Sequence, residues 1–241
     1  MPSADRPTTW LVTGTSRGIG LELVKQLVAS PANTVIATCR NVAKASSLTR
    51  LKDAAQGELH ILELEVDDFD AIRASAKDIA AILGDRGLDY LVNNAGIVDK
   101  MDTAFTLDPE SILRTTRTNV AAPALLSQVC LPFLEKSTRK TILNISSTGA
   151  SMVESGFVGA GLATYCMSKS ALNMLTYKQK VERPDLIVIS MCPGWAKTDM
   201  GGPDAKVEVP ESVAGILKVI TSVTSADSGR FIRYNGEEIA R

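Results

Sequence analysis

The chain has 241 residues, of which 26 are Lys or Arg and 27 are Asp or Glu, so its formal net charge is −1. This balance argues against a dedicated binder of nucleic acids or anionic membranes, because such proteins usually carry a basic excess. The four Cys form no C-x-x-C pair, and His60 is the only histidine. Neither a zinc ribbon, a disulfide framework nor a histidine-rich metal site is therefore expected.

The segment from Met1 to Trp10 is polar, and no apolar run in the sequence is long enough to cross a bilayer. A secretory signal peptide contains a central apolar stretch, which this segment lacks. These features predict a cytoplasmic protein whose partners are small molecules rather than nucleic acids or membranes.

Short apolar or β-branched runs alternate with segments of helical periodicity along the whole chain. The predicted strands are 9–12, 34–38, 60–64, 88–92, 141–145, 186–191 and 229–233. The predicted helices begin at Gly18, near Leu48, at Asp67 or Asp68, at Asp108, at Thr164 and at Pro210. The helix over 108–135 is expected to kink at Pro123, and looser segments are expected at 99–107, 148–162 and 199–209.

This alternation is typical of a parallel sheet covered on both faces by the helices of right-handed crossovers. It predicts the α/β class: a single-domain Rossmann fold over residues 1–241, with a doubly wound parallel sheet of about seven strands. We find no linker, repeat or low-complexity tract that would divide the chain.

A glycine-rich loop joins the first predicted strand to the first helix, with glycines at 14, 18 and 20. Such glycines allow a tight turn and a close backbone approach to a pyrophosphate, which the helix N-terminus then stabilises. The spacing G-x-x-x-G-x-G is neither the usual dinucleotide fingerprint nor a P-loop. By itself the loop fits an ordinary β–α turn equally well.

Two arginines favour NADP over NAD as the cofactor. Dinucleotide sites usually hold the adenosine ribose with a carboxylate about 20 positions after the glycine loop. The second strand instead ends in Cys39-Arg40, and Arg17 lies within the glycine loop. A guanidinium can bind a 2′-phosphate that a carboxylate would repel. The alternative is that both arginines are simply solvated at loop ends.

Tyr165 and Lys169 are four positions apart at the start of a predicted helix, so they share one face. A free tyrosine has a pKa near 10, and a nearby ammonium lowers that pKa toward the range of acid–base catalysis. A Tyr-x-x-x-Lys spacing alone also describes many surface pairs.

Polar and turn-forming residues follow several other strands: Asn93 to Gly96, Ser146-Ser147 and Pro193-Gly194. Open α/β sheets bind ligands at these carboxyl ends. Together with the glycine loop, Asn119, Tyr165-Lys169 and Thr198, these motifs appear in the order found in the short-chain dehydrogenase/reductase family. The sequence resembles that family. Within it, the segments Ser168 to Met174 and Pro193 to Gly202 are most similar to the C-factor-like (sniffer-like) carbonyl reductases.

The resemblance implies catalytic roles for Asn119, Ser147, Tyr165 and Lys169. Tyr165 would protonate the carbonyl oxygen while Ser147 polarises it, and Lys169 would lower the Tyr165 pKa and hold the nicotinamide ribose. Asn119 would anchor a water that links Lys169 to solvent. The family motif uses the second of two serines, and only one residue of Ser146-Ser147 can face the site.

The resemblance also implies an NADP(H) site, in which Thr198 holds the carboxamide. Its expected residues are Gly14, Thr15, Ser16, Arg17, Gly18, Ile19, Gly20, Arg40, Glu65, Val66, Asn93, Ala95, Gly96, Tyr165, Lys169, Pro193, Gly194 and Thr198. Family members usually place Asp where Glu65 stands, and a register with Asp67 as the adenine contact stays open. No metal is expected.

Ser147 and Tyr165 are 18 positions apart, longer than in short family members, and the additional residues would form a loop beside the site. In the resembling reductases such insertions accompany monomers or altered assemblies. The sequence therefore leaves a monomer, a homodimer and a homotetramer open.

Four apolar residues lie in the two loops expected beside the nicotinamide: Val153, Phe157, Trp195 and Met200. They predict a pocket for an aromatic or otherwise lipophilic carbonyl compound, and ordinary packing under the loops is the equal alternative. Gly201-Gly202-Pro203 predicts a mobile lid that orders when ligands bind.

The predicted function is NADP(H)-dependent reduction of a ketone or aldehyde, reversibly the oxidation of an alcohol. A non-catalytic NADP-binding sensor is the main alternative, although such a protein would be free to lose the Tyr165-Lys169 pair. A third possibility is a dehydratase or an epimerase, although enzymes of these two types usually need a larger C-terminal substrate region.

Overall fold

The computed structural model describes residues 6–241, so the first half of the polar segment 1–10 lies outside the described residues. Its strands form one sheet of seven parallel members, which confirms the predicted α/β fold class. The strands are β1 Thr8–Thr13, β2 Asn33–Cys39, β3 Glu58–Glu63, β4 Tyr90–Asn93, β5 Thr141–Ile145, β6 Ile187–Cys192 and β7 Phe231–Arg233.

The strand order in the sheet is β3-β2-β1-β4-β5-β6-β7. From β1 to β3 the chain adds strands from the middle of the sheet toward one edge. From β4 to β7 it adds them toward the other edge, so the direction of strand addition reverses between β1 and β4. In an open parallel sheet the loops diverge at this switch point and leave a crevice beyond the carboxyl ends of the strands. The fold places the glycine loop after β1 directly at this crevice.

Helices cover both faces of the sheet, as the alternation of strands and helices predicts. They are α1 Gly18–Val28, α2 Ser46–Ala54, α3 Phe69–Leu83, α4 Pro109–Thr116, α5 Ala122–Leu134, α6 Ala163–Glu182 and α7 Val209–Ser222. One core cluster joins α1, α2 and α7 to the sheet, and a second joins α3 and α5 to its other face. Within β1, Trp10 and Val12 enter the first cluster and Leu11 the second. A strand buried on both faces is therefore apolar without alternation.

The helix predicted over 108–135 contains an irregularity immediately before Pro123. A π-helical turn over Arg117–Ala121 separates α4 from α5, and Pro123 lies in the first turn of α5. Pro123 lacks the N–H that would bond to the carbonyl of Asn119, and its ring would collide with that carbonyl in a regular helix. The widened turn accommodates this collision, so the distortion appears just before the proline.

Candidate active site

A cleft of about 760 Å³ opens beyond the carboxyl ends of the strands. This volume falls within the range of about 300–1,000 Å³ that small-molecule and cofactor sites occupy. Most residues predicted to bind the cofactor border it: Gly14, Ser16, Arg17, Gly18, Ile19, Gly20, Arg40, Glu65, Val66, Ala95, Gly96, Tyr165, Lys169, Pro193 and Thr198.

The glycine loop is shaped by close backbone contacts. Gly14 has a φ of +69°, and a Cβ there would lie 2.9 Å from the Cα of Ala95. A Cβ on Gly20 would lie 2.2 Å from the carbonyl oxygen of Gly14. Side chains at either position would push the loop off the end of β4. The first N–H groups of α1 are thereby held at the cleft, in the arrangement that binds pyrophosphate.

Three predicted cofactor residues lie outside the cleft lining in residues 6–241. The Thr15 hydroxyl is buried and donates to the carbonyl of Thr38 at 3.0 Å, tying the loop to β2. The Asn93 side chain donates to Asn144 Oδ1 at 2.8 Å inside the sheet. Gly194 turns the chain with a φ of +78° against the ring of Tyr234. Thr15 and Asn93 thus use these polar groups within the protein, and their predicted place in the cofactor site stays a prediction.

Asn94, which the sequence analysis did not select, borders the cleft instead of Asn93. Its amide nitrogen donates to the carbonyls of Thr13 at 2.8 Å and Gly14 at 3.3 Å. Successive side chains at a strand end point to opposite sides, so the register of the two asparagines decides which one faces the loop. Two consecutive asparagines in a sequence do not indicate which of the two side chains faces the loop.

Tyr165 and Lys169 lie on the cleft side of α6, with Lys169 Nζ 5.7 Å from the centre of the Tyr165 ring. The ammonium donates to the carbonyl of Ile145 at 2.8 Å, and burial lowers the pKa of Lys169 to about 8. Burial also raises the pKa of Tyr165, against a smaller lowering by Ser147. Loss of solvent dominates the pKa of Tyr165 at this depth, and the expected lowering by Lys169 stays a prediction.

The two serines after β5 point in different directions. Ser146 donates to Asn173 Oδ1 at 2.7 Å, so its hydroxyl is turned away even though the residue borders the cleft. Ser147 Oγ accepts the N–H of Gly149 at 3.1 Å and lies close to Tyr165, whose pKa it lowers. Since the oxygen accepts from Gly149, its own proton is free to point toward a ligand. Ser147 does not border the cleft in residues 6–241, and its catalytic role stays a prediction.

Asn119 is fully buried in the π-helical turn, and its side chain binds the backbone of the segment that follows β4. Its Oδ1 accepts the N–H of Ile97 at 2.9 Å, and its Nδ2 donates to the carbonyl of Ile97 at 2.9 Å and to Ser168 at 3.0 Å. A Cβ on Gly96 would lie 3.2 Å from Asn119 Oδ1 and 3.4 Å from Lys169 Nζ. Both amide hydrogens are used, so a water held by Asn119 must bond to another of its atoms.

The other end of the cleft holds exposed charges. Arg17 pairs with Asp199 at 2.8 Å, and Arg40 lies 3.8 Å from Glu65. Asp67 also borders the cleft, and its carboxylate accepts the hydroxyl of Thr118 at 2.6 Å. Glu65 is the carboxylate near Arg40, and which of the two contacts adenine stays an open prediction. Asp199 was not anticipated, because nothing in the sequence indicates that the loop after Thr198 reaches the glycine loop.

The four residues predicted to form the substrate pocket are not buried under loops. Val153 is 70% exposed and Phe157 63%, and Trp195 and Met200 are also exposed. Among residues 6–241, Met200 is the member of this set that borders the cleft itself. Ordinary packing therefore does not account for these apolar side chains, and they remain available to a ligand.

The segment predicted as a lid is folded as a compact loop. Gly201 donates its N–H to Thr198 Oγ1 at 3.1 Å, and the Trp195 indole donates to the carbonyl of Gly201 at 2.7 Å. Lys206 and Val207 donate their N–H groups to the carbonyl of Trp195, each at 3.0 Å. These bonds hold the loop over the mouth of the cleft, and its ordering on ligand binding stays a prediction.

Comparison with known proteins agrees with this geometry. A sequence profile of the short chain dehydrogenase family matches residues 8–208. The chain belongs to this family. A structure titled carbonyl reductase Sniffer of D. melanogaster superposes with a TM-score of 0.92 at 35% identity, covering 98% of this chain and 100% of that one. The chain is therefore related to sniffer-like carbonyl reductases, and the predicted resemblance is confirmed.

Two further relatives carry functional names. The NADPH-bound carbonyl reductase from chicken fatty liver superposes with a TM-score of 0.91 at 37% identity, covering 98% of this chain and 100% of that one. Norsolorinic acid ketoreductase of Aspergillus parasiticus is 31% identical over 246 residues, covering 96% of this chain and 91% of the relative. This short-chain dehydrogenase is accordingly an oxidoreductase of the nicotinamide-dependent type.

None of the helices within residues 6–241 combines the length and apolar character needed to cross a membrane. In the same part of the chain, no three His, Cys, Asp or Glu side chains are arranged to hold a metal ion.

Proposed function

We propose that this short-chain dehydrogenase is an NADP(H)-dependent carbonyl reductase that converts a ketone or aldehyde to an alcohol. The observation that carries the proposal is that Tyr165, Lys169 and Ser147 come together at one end of the cleft. Tyr165 and Lys169 border the cleft from α6, and Ser147 follows β5 close to the Tyr165 phenol, whose pKa it lowers.

The glycine loop fits a dinucleotide, because a Cβ at Gly14 or Gly20 would collide with neighbouring backbone. Bound there, a nicotinamide nucleotide supplies the hydride. Arg17 and Arg40 favour NADP, since both border the cleft where a 2′-phosphate would need cations. The NADPH found in the chicken carbonyl reductase supports the same choice.

Tyr165 acts as the general acid. Burial raises its pKa, so the phenol keeps its proton at neutral pH and can donate it to the carbonyl oxygen. Ser147 donates a hydrogen bond to the same oxygen and polarises the carbonyl. Lys169 is mostly an ammonium at neutral pH, because its pKa is about 8, and it supplies positive charge and a proton beside Tyr165.

We further propose a bulky aromatic or otherwise lipophilic carbonyl substrate. Val153, Phe157, Trp195 and Met200 expose apolar surface in the loops after β5 and β6. Several relatives are named norsolorinic acid ketoreductase, which indicates ketone substrates among similar chains.

The test is loss of NADPH absorbance with a series of aldehydes, quinones and aromatic ketones. We expect turnover of at least one, and a loss of about a hundredfold or more in kcat for Tyr165→Phe, because a positioned general acid contributes about 10²–10⁴-fold. Tyr177→Phe, an exposed position on the same helix, is the matched control and should change kcat less than about twofold. Equal activity of Tyr165→Phe and wild type would overturn the acid assignment, and NADPH binding without any turnover would favour the sensor.

A further inference from the structure

The catalytic helix begins in an unusual way. Tyr165 is the third residue of α6, so it lies in the first turn, where the backbone N–H groups have no partner within the helix. The residue just before the helix, Leu162, adopts a left-handed conformation with a φ of +59°. Its apolar side chain cannot cap the helix, so the N-terminal N–H groups need an acceptor from elsewhere.

Asp102 supplies that acceptor from the loop between β4 and α4. Its carboxylate accepts the N–H of Thr164 at 3.1 Å, and its other carboxylate oxygen accepts the Thr164 hydroxyl. Its main-chain carbonyl accepts the N–H of Ala163 at 3.4 Å. Asp102 and Thr164 are both buried, so these bonds are shielded from water. Three bonds thus hold the two residues that immediately precede Tyr165.

The loop that carries Asp102 is itself anchored to α4. Asp99 accepts the Ser111 hydroxyl at 2.7 Å and pairs with Arg114 at 2.6 Å, and these partners lower the pKa of Asp99. Further along, Thr103 and Thr106 close a turn through a hydrogen bond of 3.0 Å. The position of Asp102 is therefore set by folded structure on both sides of it.

We propose that Asp102 is a positioning residue for Tyr165: it caps α6 from a distant loop and sets the phenol against Ser147. The proposal rests on the proposed function, in which Tyr165 is the general acid. A first turn without its cap frays, and a misplacement of about 1 Å at a catalytic group costs about 10²-fold in rate. Asp102 acts through Tyr165 and touches neither substrate nor cofactor in this assignment.

The decisive measurement is a double-mutant cycle on kcat with Asp102→Ala and Tyr165→Phe. We expect Asp102→Ala to lower kcat about 10- to 100-fold, with the Kd for NADPH changed less than about twofold. In the Tyr165→Phe background the same substitution should change the residual rate less than about twofold, because the group it positions is gone. Asp102→Asn keeps an oxygen that can accept the N–H of Thr164, so it should restore most of the activity.

Asp68→Ala is the matched control, since Asp68 caps α3 by accepting the N–H groups of Asp70 and Ala71, each at 3.0 Å. It should lower the Tm and leave kcat within about twofold. Equal losses of kcat from both alanine variants, or fully multiplicative effects in the cycle, would show general destabilisation and overturn the proposal. Should Asp102→Ala fail to fold, Thr164→Val takes its place, because it removes one of the bonds to Asp102. The effect of Thr164→Val on kcat must then also disappear in the Tyr165→Phe background.

Failure of this inference is separable from failure of the proposed function. If Tyr165→Phe retains full activity, the reductase mechanism itself is wrong. If Tyr165→Phe is impaired while Asp102→Ala is as active as wild type, only the positioning role is lost.

Discussion

The two ends of the cleft hold their polar side chains in opposite ways. At the catalytic end Lys169 is only 4% exposed, and Asn119 next to it uses both amide hydrogens within the protein. At the other end the side chains of Arg17 and Arg40 are 72% and 71% exposed, and their carboxylate partners are also reached by water.

Burial and exposure have different consequences for function. A buried group is held in one geometry by its neighbours and has a strongly shifted pKa, so the chemistry depends on the integrity of the fold. Exposed charges interact through water and are screened by salt, so each contributes little rigidity. Cofactor preference should therefore change with single surface substitutions, whereas the catalytic end should tolerate almost none.

The largest expected effect concerns the buried end and pH. Lys169 has a pKa of about 8, so the ammonium predominates below pH 8 and is lost as the pH rises above it. In the proposed mechanism the charged form supplies the proton and the positive charge beside Tyr165, so kcat for carbonyl reduction should fall roughly tenfold per pH unit on the alkaline side. Steady-state rates from about pH 6 to about pH 10 measure this profile.

Lys169→Met provides the control for that profile. The variant should be slow, by about 10²-fold or more, and its rate should no longer decline near pH 8. If the wild-type rate is constant across the alkaline range, or if Lys169→Met keeps the same decline, another group is responsible.

A smaller effect is expected at the exposed end from Arg40→Asp. A carboxylate in place of the guanidinium repels a 2′-phosphate, so the Kd for NADPH should rise about 10- to 100-fold while that for NADH changes less than about twofold. Fluorescence titration of both cofactors measures the two constants. Arg73→Asp on α3 alters the net charge equally, and Arg73 is paired with Asp70 on the surface, so this variant should leave both constants unchanged. Equal weakening of NADPH and NADH by Arg40→Asp would remove the 2′-phosphate argument.

The smallest effect is expected from Asp199→Asn. Asp199 holds the Arg17 guanidinium at 2.8 Å and competes with a phosphate for it. Removing the carboxylate should lower the Kd for NADPH about two- to fivefold at low salt, and less at high salt, because the pair is exposed. Weaker NADPH binding by Asp199→Asn would instead mean that the pair is needed to shape the site.

Local patterns predicted much of this arrangement, and the failures are instructive. The strands, the glycine loop and the Tyr165-Lys169 spacing depend on residues near one another in sequence, so their periodicity predicts them. Pro123 was correctly taken as a disturbance of its helix, yet the π turn over Arg117–Ala121 depends on how the chain relieves the collision. For Asn93 and Asn94, a strand register decided which side chain reached the cleft.

The amino-acid sequence by itself determined the order of strands and helices, the loop that suits a pyrophosphate, and the spacing that puts Tyr165 and Lys169 on one helix face. Tertiary structure alone decided that Tyr165 is buried, which raises its pKa, and that Asp199 meets Arg17. It also decided that Asp102 caps the catalytic helix from 62 positions away. Periodicity reports the faces of single elements, whereas desolvation and long-range hydrogen bonds arise only when distant segments pack together.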